Sequence, residues 1–207
     1  MNGYLAPDVP AKQWEVVGAQ LAELRNGDPP AIWQAVGDAL IALRDVSGLY
    51  SVTLLDAGCS SAYFSEVIDH YVPKWVAYKG MDFSPHMIGE AAQRYPYAMV
   101  DLSDMRQTCY KDRSFDIVMT GATLNHIVEW RRALKELARI VGRYLLFHRL
   151  PFVDGPTRID EAIAYGHPVP ALFFNELEFG IVLSDRGFVR IYDESVDDLR
   201  TQIWERA

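Results

Sequence analysis

Along residues 11–26, Trp14, Val17, Leu21 and Leu24 recur at helical spacing, and Asn26-Gly27 supplies a stop signal. A second helix is predicted with Asp28 as N-cap and Pro29 in its first turn, placing Ile32, Trp33, Val36, Leu40 and Leu43 on one side. These two helices are expected to form an N-terminal cap over residues 1–48. From residue 51 the period changes to short apolar runs alternating with helical stretches. Strands are predicted over 51–55, 75–81, 97–100, 115–119 and 143–148, and helices over 63–70, 84–94 and 130–140, with Gly142 as the C′ residue of the last. Strands separated by helices predict parallel pairing with right-handed crossovers, hence a three-layer α/β fold.

Residues 151–174 break that rhythm. They are rich in Pro and Gly and carry Tyr165, His167, Phe173 and Phe174. Asn175 with Glu178 three residues later predicts a capped helix running to Arg186-Gly187. Two β-rich runs, 188–192 and 201–204, then fit an antiparallel hairpin. The expected fold is a doubly wound, mostly parallel seven-stranded sheet with a C-terminal antiparallel hairpin and an N-terminal helical cap. Residues 49–207 form its main domain.

Charge narrows the partners. A net charge of −8, with no run of lysines or arginines, argues against nucleic acid. The two cysteines, Cys59 and Cys109, lack zinc spacing and read as free thiols in a reducing compartment, and no metal site is expected. The opening MNGYLAPDVPAKQW has no basic region ahead of an apolar stretch, and nothing approaches the ~20 apolar residues that span a bilayer. A cytoplasmic protein without a membrane partner is expected. Nothing in the sequence sets an oligomeric state.

The chemistry lies at strand ends. In Leu54-Leu-Asp56-Ala-Gly58-Cys-Ser60-Ser-Ala62-Tyr-Phe64 a strand runs through small residues into a helix whose N–H groups could meet a ligand. An ordinary tight turn is the plainer reading. Asp56, two residues before the glycine, suits a cationic amine or sulfonium, or a backbone-capping role. Asp82 follows the second strand 24 residues after Gly58, near the ~20-residue offset of a carboxylate that grips ribose hydroxyls. Asp101 follows the third strand, where an adenine amine would find an acceptor. All three acids are expected to face the crevice at the carboxyl edge of the sheet.

With these residues in view, the chain resembles the class I, Rossmann-like S-adenosylmethionine-dependent methyltransferases over about residues 51–149. LLDAGCSSAYFS resembles the first motif, with Ser60 and Ala62 where glycines are usual; GMDFSPHMI resembles the second, and VDLSDM the third. The resemblance implies S-adenosyl-L-methionine (AdoMet) as cofactor and S-adenosyl-L-homocysteine as product. It also implies a site formed by Asp56, Gly58, Ser60, Asp82, Phe83, Met87, Asp101, Leu102, Thr120 and Gly121. The expected activity is methyl transfer to oxygen or nitrogen of a small molecule.

Such a displacement needs alignment, and a general base only where the acceptor is protonated. His126 and His148, after the fourth strand and at the end of the fifth, are the candidate catalytic residues. Tyr165 and His167 in the 151–174 insert are candidate substrate contacts, with the insert covering the acceptor site. His70 and His86 read as helix-surface positions. Two other readings compete: a non-catalytic AdoMet-binding scaffold, and a nicotinamide-dependent oxidoreductase, which leaves Asp56 and the terminal hairpin unexplained.

Overall fold

The computed structural model describes residues 3–207. Two helices, α1 (Val9–Arg25) and α2 (Ala31–Ser47), precede β1 (Val52–Ala57), α3 (Phe64–Tyr71), β2 (Val76–Asp82), α4 (Pro85–Arg94) and β3 (Met99–Leu102). Then follow β4 (Phe115–Gly121), α5 (Trp130–Ile140), β5 (Val141–Val153), β6 (Arg158–Ala164) and β7 (His167–Asn175). The chain closes with α6 (Glu176–Ser184), β8 (Phe188–Val196) and β9 (Leu199–Arg206). β3-β2-β1-β4-β5 are parallel neighbours, and β9 and then β8 extend the sheet antiparallel from β5. These seven strands are the expected mostly parallel sheet with its antiparallel hairpin, and β7 and β6, joined to the far end of β5, bring the whole sheet to nine.

Strand sequences alternate between two cores, as strands buried on both faces must. Leu54, Ile117, Met119 and Leu146 pack with Trp33, Val36, Leu40 and Leu43 of α2 and with Val67 of α3. Leu55, Val118, Leu145 and Phe147 pack on the other face with Leu134 and Leu137 of α5 and Phe179 of α6. Trp33 is fully buried in the first core. Burying a side chain of that size contributes roughly 1.5–3 kcal/mol. Rather than standing ahead of the domain as a cap, α2 is therefore part of a helical layer, touching α3, β8 and β9.

Three local expectations change. The helix α2 starts at Ala31 behind Pro30, without a cap bond from Asp28. Helix α5 runs directly into β5, so Gly142 is a strand residue. The insert 151–174 is not a loop but a hairpin, β6–β7, whose second strand also pairs with the far end of β5 (Phe152↔Phe174). Tyr165 and Gly166 form its two-residue turn with φ of 53° and 80°, the left-handed pair that matches strand twist. The Asn175 side chain caps α6 by accepting from the Glu178 N–H at 2.9 Å, as predicted.

Candidate active site

At the carboxyl edge of the parallel strands, the connecting loops line a partly open cavity of about 690 Å³. Its walls come from the loops after β1, β2, β3 and β4, from β5, from the β6–β7 hairpin, and from the 3₁₀ turn Gly3–Leu5 with Gln13 of α1.

The loop after β1 sets the shape. The Gly58 and Cys59 N–H groups donate to the Met81 carbonyl (2.8 and 2.9 Å), tying the loop to the end of β2. Gly58 has φ +84°, and a Cβ there would overlap the Thr123 side chain, so this position takes only glycine. Ser60 and Ala62 are also left-handed, at φ 55° and 62°, a conformation that favours glycine. Such a conformation costs a non-glycine residue roughly 1–2 kcal/mol. Compensating bonds hold it: Ser60 N–H donates to Asp82 Oδ2 (2.9 Å), the Ser60 hydroxyl donates to Gln13, and Ala62 N–H donates to the Cys59 carbonyl (2.8 Å).

The three strand-end acids do not converge. Asp82 alone lines the cavity, each carboxylate oxygen accepting one N–H (Ser60 to Oδ2, Ser84 to Oδ1, both 2.9 Å). Burial pushes its carboxyl up from the usual range, while the Ser84 and Ser60 N–H groups pull it back. Asp56 lies beneath the loop, fully buried, accepting from the Tyr78 hydroxyl at 2.9 Å. Burial pushes its carboxyl up to about 7, and it does not line the cavity. Asp101 points off the other side of β3 to Lys79 (2.8 Å) and the Tyr110 hydroxyl (2.7 Å). Leu102 is exposed. The chain turns over the cavity only after β3 ends, so Ser103, Asp104 and Met105 of the third motif form the wall in place of Asp101 and Leu102.

Of the other predicted cofactor contacts, Gly58, Ser60, Phe83, Met87 and Gly121 line the cavity. Thr120 does not; its hydroxyl is buried without a partner.

The histidines separate sharply. His126 lines the cavity, and its Nδ1 lies 2.8 Å from the Pro170 carbonyl. A carbonyl only accepts, so Nδ1 carries the proton and Nε2 keeps a lone pair, 3.4 Å from the Asn125 amide. Burial holds the imidazole below its ordinary pKa, and so neutral. His148 is fully buried, edge-on to Phe64, with Nδ1 2.9 Å from the Thr201 hydroxyl. It does not line the cavity, and burial, with the neighbouring Arg149 charge, pushes it down to about 3. The position assigns it packing, against the expectation of a catalytic base. Tyr165 lines the cavity, its carbonyl accepting from Lys12 (3.2 Å) and its hydroxyl from Gln13 (3.4 Å). His167 instead turns outward to Asp8 (2.8 Å), fastening the hairpin to the start of α1. His70 and His86 are exposed.

Sequence reasoning missed Tyr4, Gln13, Thr123 and Arg149, all in the wall. Gln13 and Tyr4 reach the site only through tertiary packing, and no local pattern marks them. Arg149 follows His148 directly at the end of a predicted strand, so the edge rule that picked out the acids could have found it.

These walls fit an adenosyl cofactor. Asp82 has lone pairs left for a ribose diol, Phe83, Met87 and Met105 offer apolar surface to a base, and the Gly58 elbow brings backbone close to the ligand. Among the described residues no cluster of His, Cys, Asp and Glu could hold a metal, and no helix is long and apolar enough to cross a membrane.

Comparison with known proteins agrees. Residues 55–143 match the family described as methyltransferase domain. A probable S-adenosylmethionine-dependent methyltransferase of Mycobacterium tuberculosis is 26% identical over 142 residues, 67% of this chain and 49% of that protein. A putative 23S rRNA (guanine-N(1)-)-methyltransferase of Bacillus subtilis is 27% identical over 153 residues, 68% of this chain and 54% of that one. The chain thus spans about half the length of these curated relatives. Among solved structures, magnesium protoporphyrin IX methyltransferase from Synechocystis PCC 6803 with bound AdoMet superposes with TM-score 0.61 at 18% identity, over 100% of both chains. The Burkholderia thailandensis 1,6-didemethyltoxoflavin-N1-methyltransferase superposes with TM-score 0.64 at 14% identity, over 97% of this chain and 90% of that one. Residues 55–143 thus match a methyltransferase domain, and the motifs and strand order resemble those of the class I S-adenosylmethionine-dependent methyltransferases, whose fold the chain shares.

Proposed function

We propose that this protein transfers a methyl group from AdoMet to oxygen or nitrogen of a small molecule held under the β6–β7 hairpin. The observation that carries the reading is the cavity at the sheet edge, partly covered by the β6–β7 hairpin, with Asp82 in one wall and a neutral His126 in another. Its volume lies within the ~300–1,000 Å³ of small-molecule sites. AdoMet would supply an electrophilic methyl on a sulfonium. The Gly58–Ala62 elbow and Asp82 hold the cofactor, and Phe83 and Met87 contact its base. His126 accepts the acceptor's proton at Nε2, a contribution of typically 10²–10⁴-fold. The Tyr165 hairpin tip, fastened to α1 by Lys12, Gln13 and Asp8, excludes water. Residues 151–174 thus act as the acceptor-site cover on the AdoMet-binding domain 49–207, with Tyr4, Leu5 and Gln13 of the N-terminal segment completing one wall.

Two of the relatives are named as rRNA methyltransferases, so the charge-based exclusion of nucleic acid does not stand by itself. What favours a small acceptor is the roof over the cavity together with the net charge of −8. Incubation with methyl-labelled AdoMet tests this, using a panel of small hydroxy and amino compounds in one arm and ribosomal RNA in the other. Label in the small-molecule arm supports the reading. Label in RNA alone contradicts the acceptor class, and bound AdoMet with no transfer in either arm points to the non-catalytic alternative.

A further inference from the structure

The antiparallel ladder between β5 and β9 contains one irregularity. Phe147 pairs with Gln202 and Leu150 with Arg200, so His148 and Arg149 together face the single residue Thr201: a β-bulge. Its effect shows in the packing. Strict alternation would put residue 150 on the face opposite Leu145 and Phe147, yet Leu150 joins them in the same core. The residue released from alternation is Arg149, held at φ 64°. A bulge beside a cleft commonly re-aims a side chain, and this one leaves Arg149 in the cavity wall with Tyr4, Tyr63, His126 and Tyr165.

Two arginines line the cavity. Arg106, at the rim, is gripped by Asp104 and Glu129 (both 2.6 Å). Arg149 has no such partner: among the described residues its Nε is buried without a hydrogen bond, and no carboxylate pairs with it. The remaining acid of the wall, Asp82, already accepts two backbone N–H groups. A half-buried guanidinium whose buried Nε has no partner can gain a hydrogen bond from a ligand, and its planar fork fits a carboxylate in two parallel bonds. The same cavity offers aromatic and aliphatic surface: three tyrosines with Leu5, Ile163 and Val169.

We propose that Arg149 is the anion-recognising residue of the acceptor site, and that the acceptor is a small aromatic carboxylate. This deepens the methyltransferase reading and rests on it for the word acceptor. AdoMet carries a carboxylate too, so the experiment separates the two sources. Benzoate and its neutral analogue benzamide are titrated calorimetrically into the wild type, Arg149→Gln and Arg149→Lys, with and without saturating S-adenosylhomocysteine. AdoMet is titrated into the same proteins.

The expected result is a wild type that prefers benzoate over benzamide by at least about tenfold, the scale of one charge-assisted hydrogen bond. Arg149→Gln should lose that preference, Arg149→Lys keep part of it, and AdoMet affinity stay within about threefold. A wild type without the preference overturns the proposal, with no variant needed. So does an Arg149→Gln protein that loses AdoMet and keeps benzoate, which would give the arginine to the cofactor's carboxylate. Preference for benzoate in a protein that takes no AdoMet upholds the anion site and overturns the methyltransferase reading.

Discussion

His148 offers a sharp test, because two roles predict opposite results. Its ring is fully buried between Phe64 and Thr201, Nε2 has no partner, and its pKa is pushed down to about 3. In the unfolded chain it returns to about 6.5. A histidine depressed in the folded state contributes stability that is present above the unfolded value and is lost as pH falls. Between pH 7 and 5 the unfolded chain takes up this proton and the folded one does not, which removes about 2 kcal/mol. That is a sizeable part of the ~5–15 kcal/mol of a typical domain. Asn at this position can keep a polar contact with Thr201 and cannot titrate. Urea unfolding of the wild type and His148→Asn at pH 7 and 5 isolates the effect, since the other titrating groups are common to both. The wild type should lose about 2 kcal/mol more than the variant. Parallel losses would refute the buried-neutral assignment. A folded variant whose turnover falls while its stability slope is unchanged would restore His148 as a base.

Asp56 runs the other way. Its carboxyl is raised to about 7 when folded, so stability is full below its unfolded value near 3.8 and is lost as pH rises toward 7. Asp56→Asn should gain up to about 4 kcal/mol on the wild type at pH 8 and little at pH 4, with AdoMet affinity nearly unchanged, as melting curves and calorimetry would report. His126→Gln should lower kcat by about 10²–10⁴-fold without raising the KM for AdoMet. The wild-type rate should fall on the acid side only below the ordinary histidine range, since burial lowers this imidazole. A profile unchanged by the substitution would remove His126 as the base.

Much of the fold was legible because the α/β alternation is local: Leu54 and Leu55, or Ile117 and Val118, declare a strand buried on both faces. The mostly parallel sheet with an antiparallel C-terminal hairpin followed from that alternation and from the two terminal β-rich runs. The β6–β7 hairpin was not legible, because Pro168 and Pro170 read as breakers, whereas in the structure they sit in β7, itself flanked by β6 and the end of β5. Strand-end position pointed to Asp82, which lines the cavity. It could not say which way Asp56 and Asp101 point, since that depends on Tyr78, Lys79 and Tyr110 claiming those carboxylates from neighbouring segments. Strand-edge position could have marked Arg149 as a candidate, but the bulge that turns it into the cavity wall breaks the two-residue period and is not announced by RYLLFHRL.

The account turns on Asp82 holding AdoMet in the cavity, and a calorimetric titration of AdoMet into the wild type and Asp82→Ala tests it most directly. One cofactor should bind per wild-type chain, and the folded variant should bind at least about tenfold more weakly, as expected when a charged hydrogen-bond acceptor is removed. A wild type that takes no AdoMet, or a variant that binds it equally well, would contradict the account.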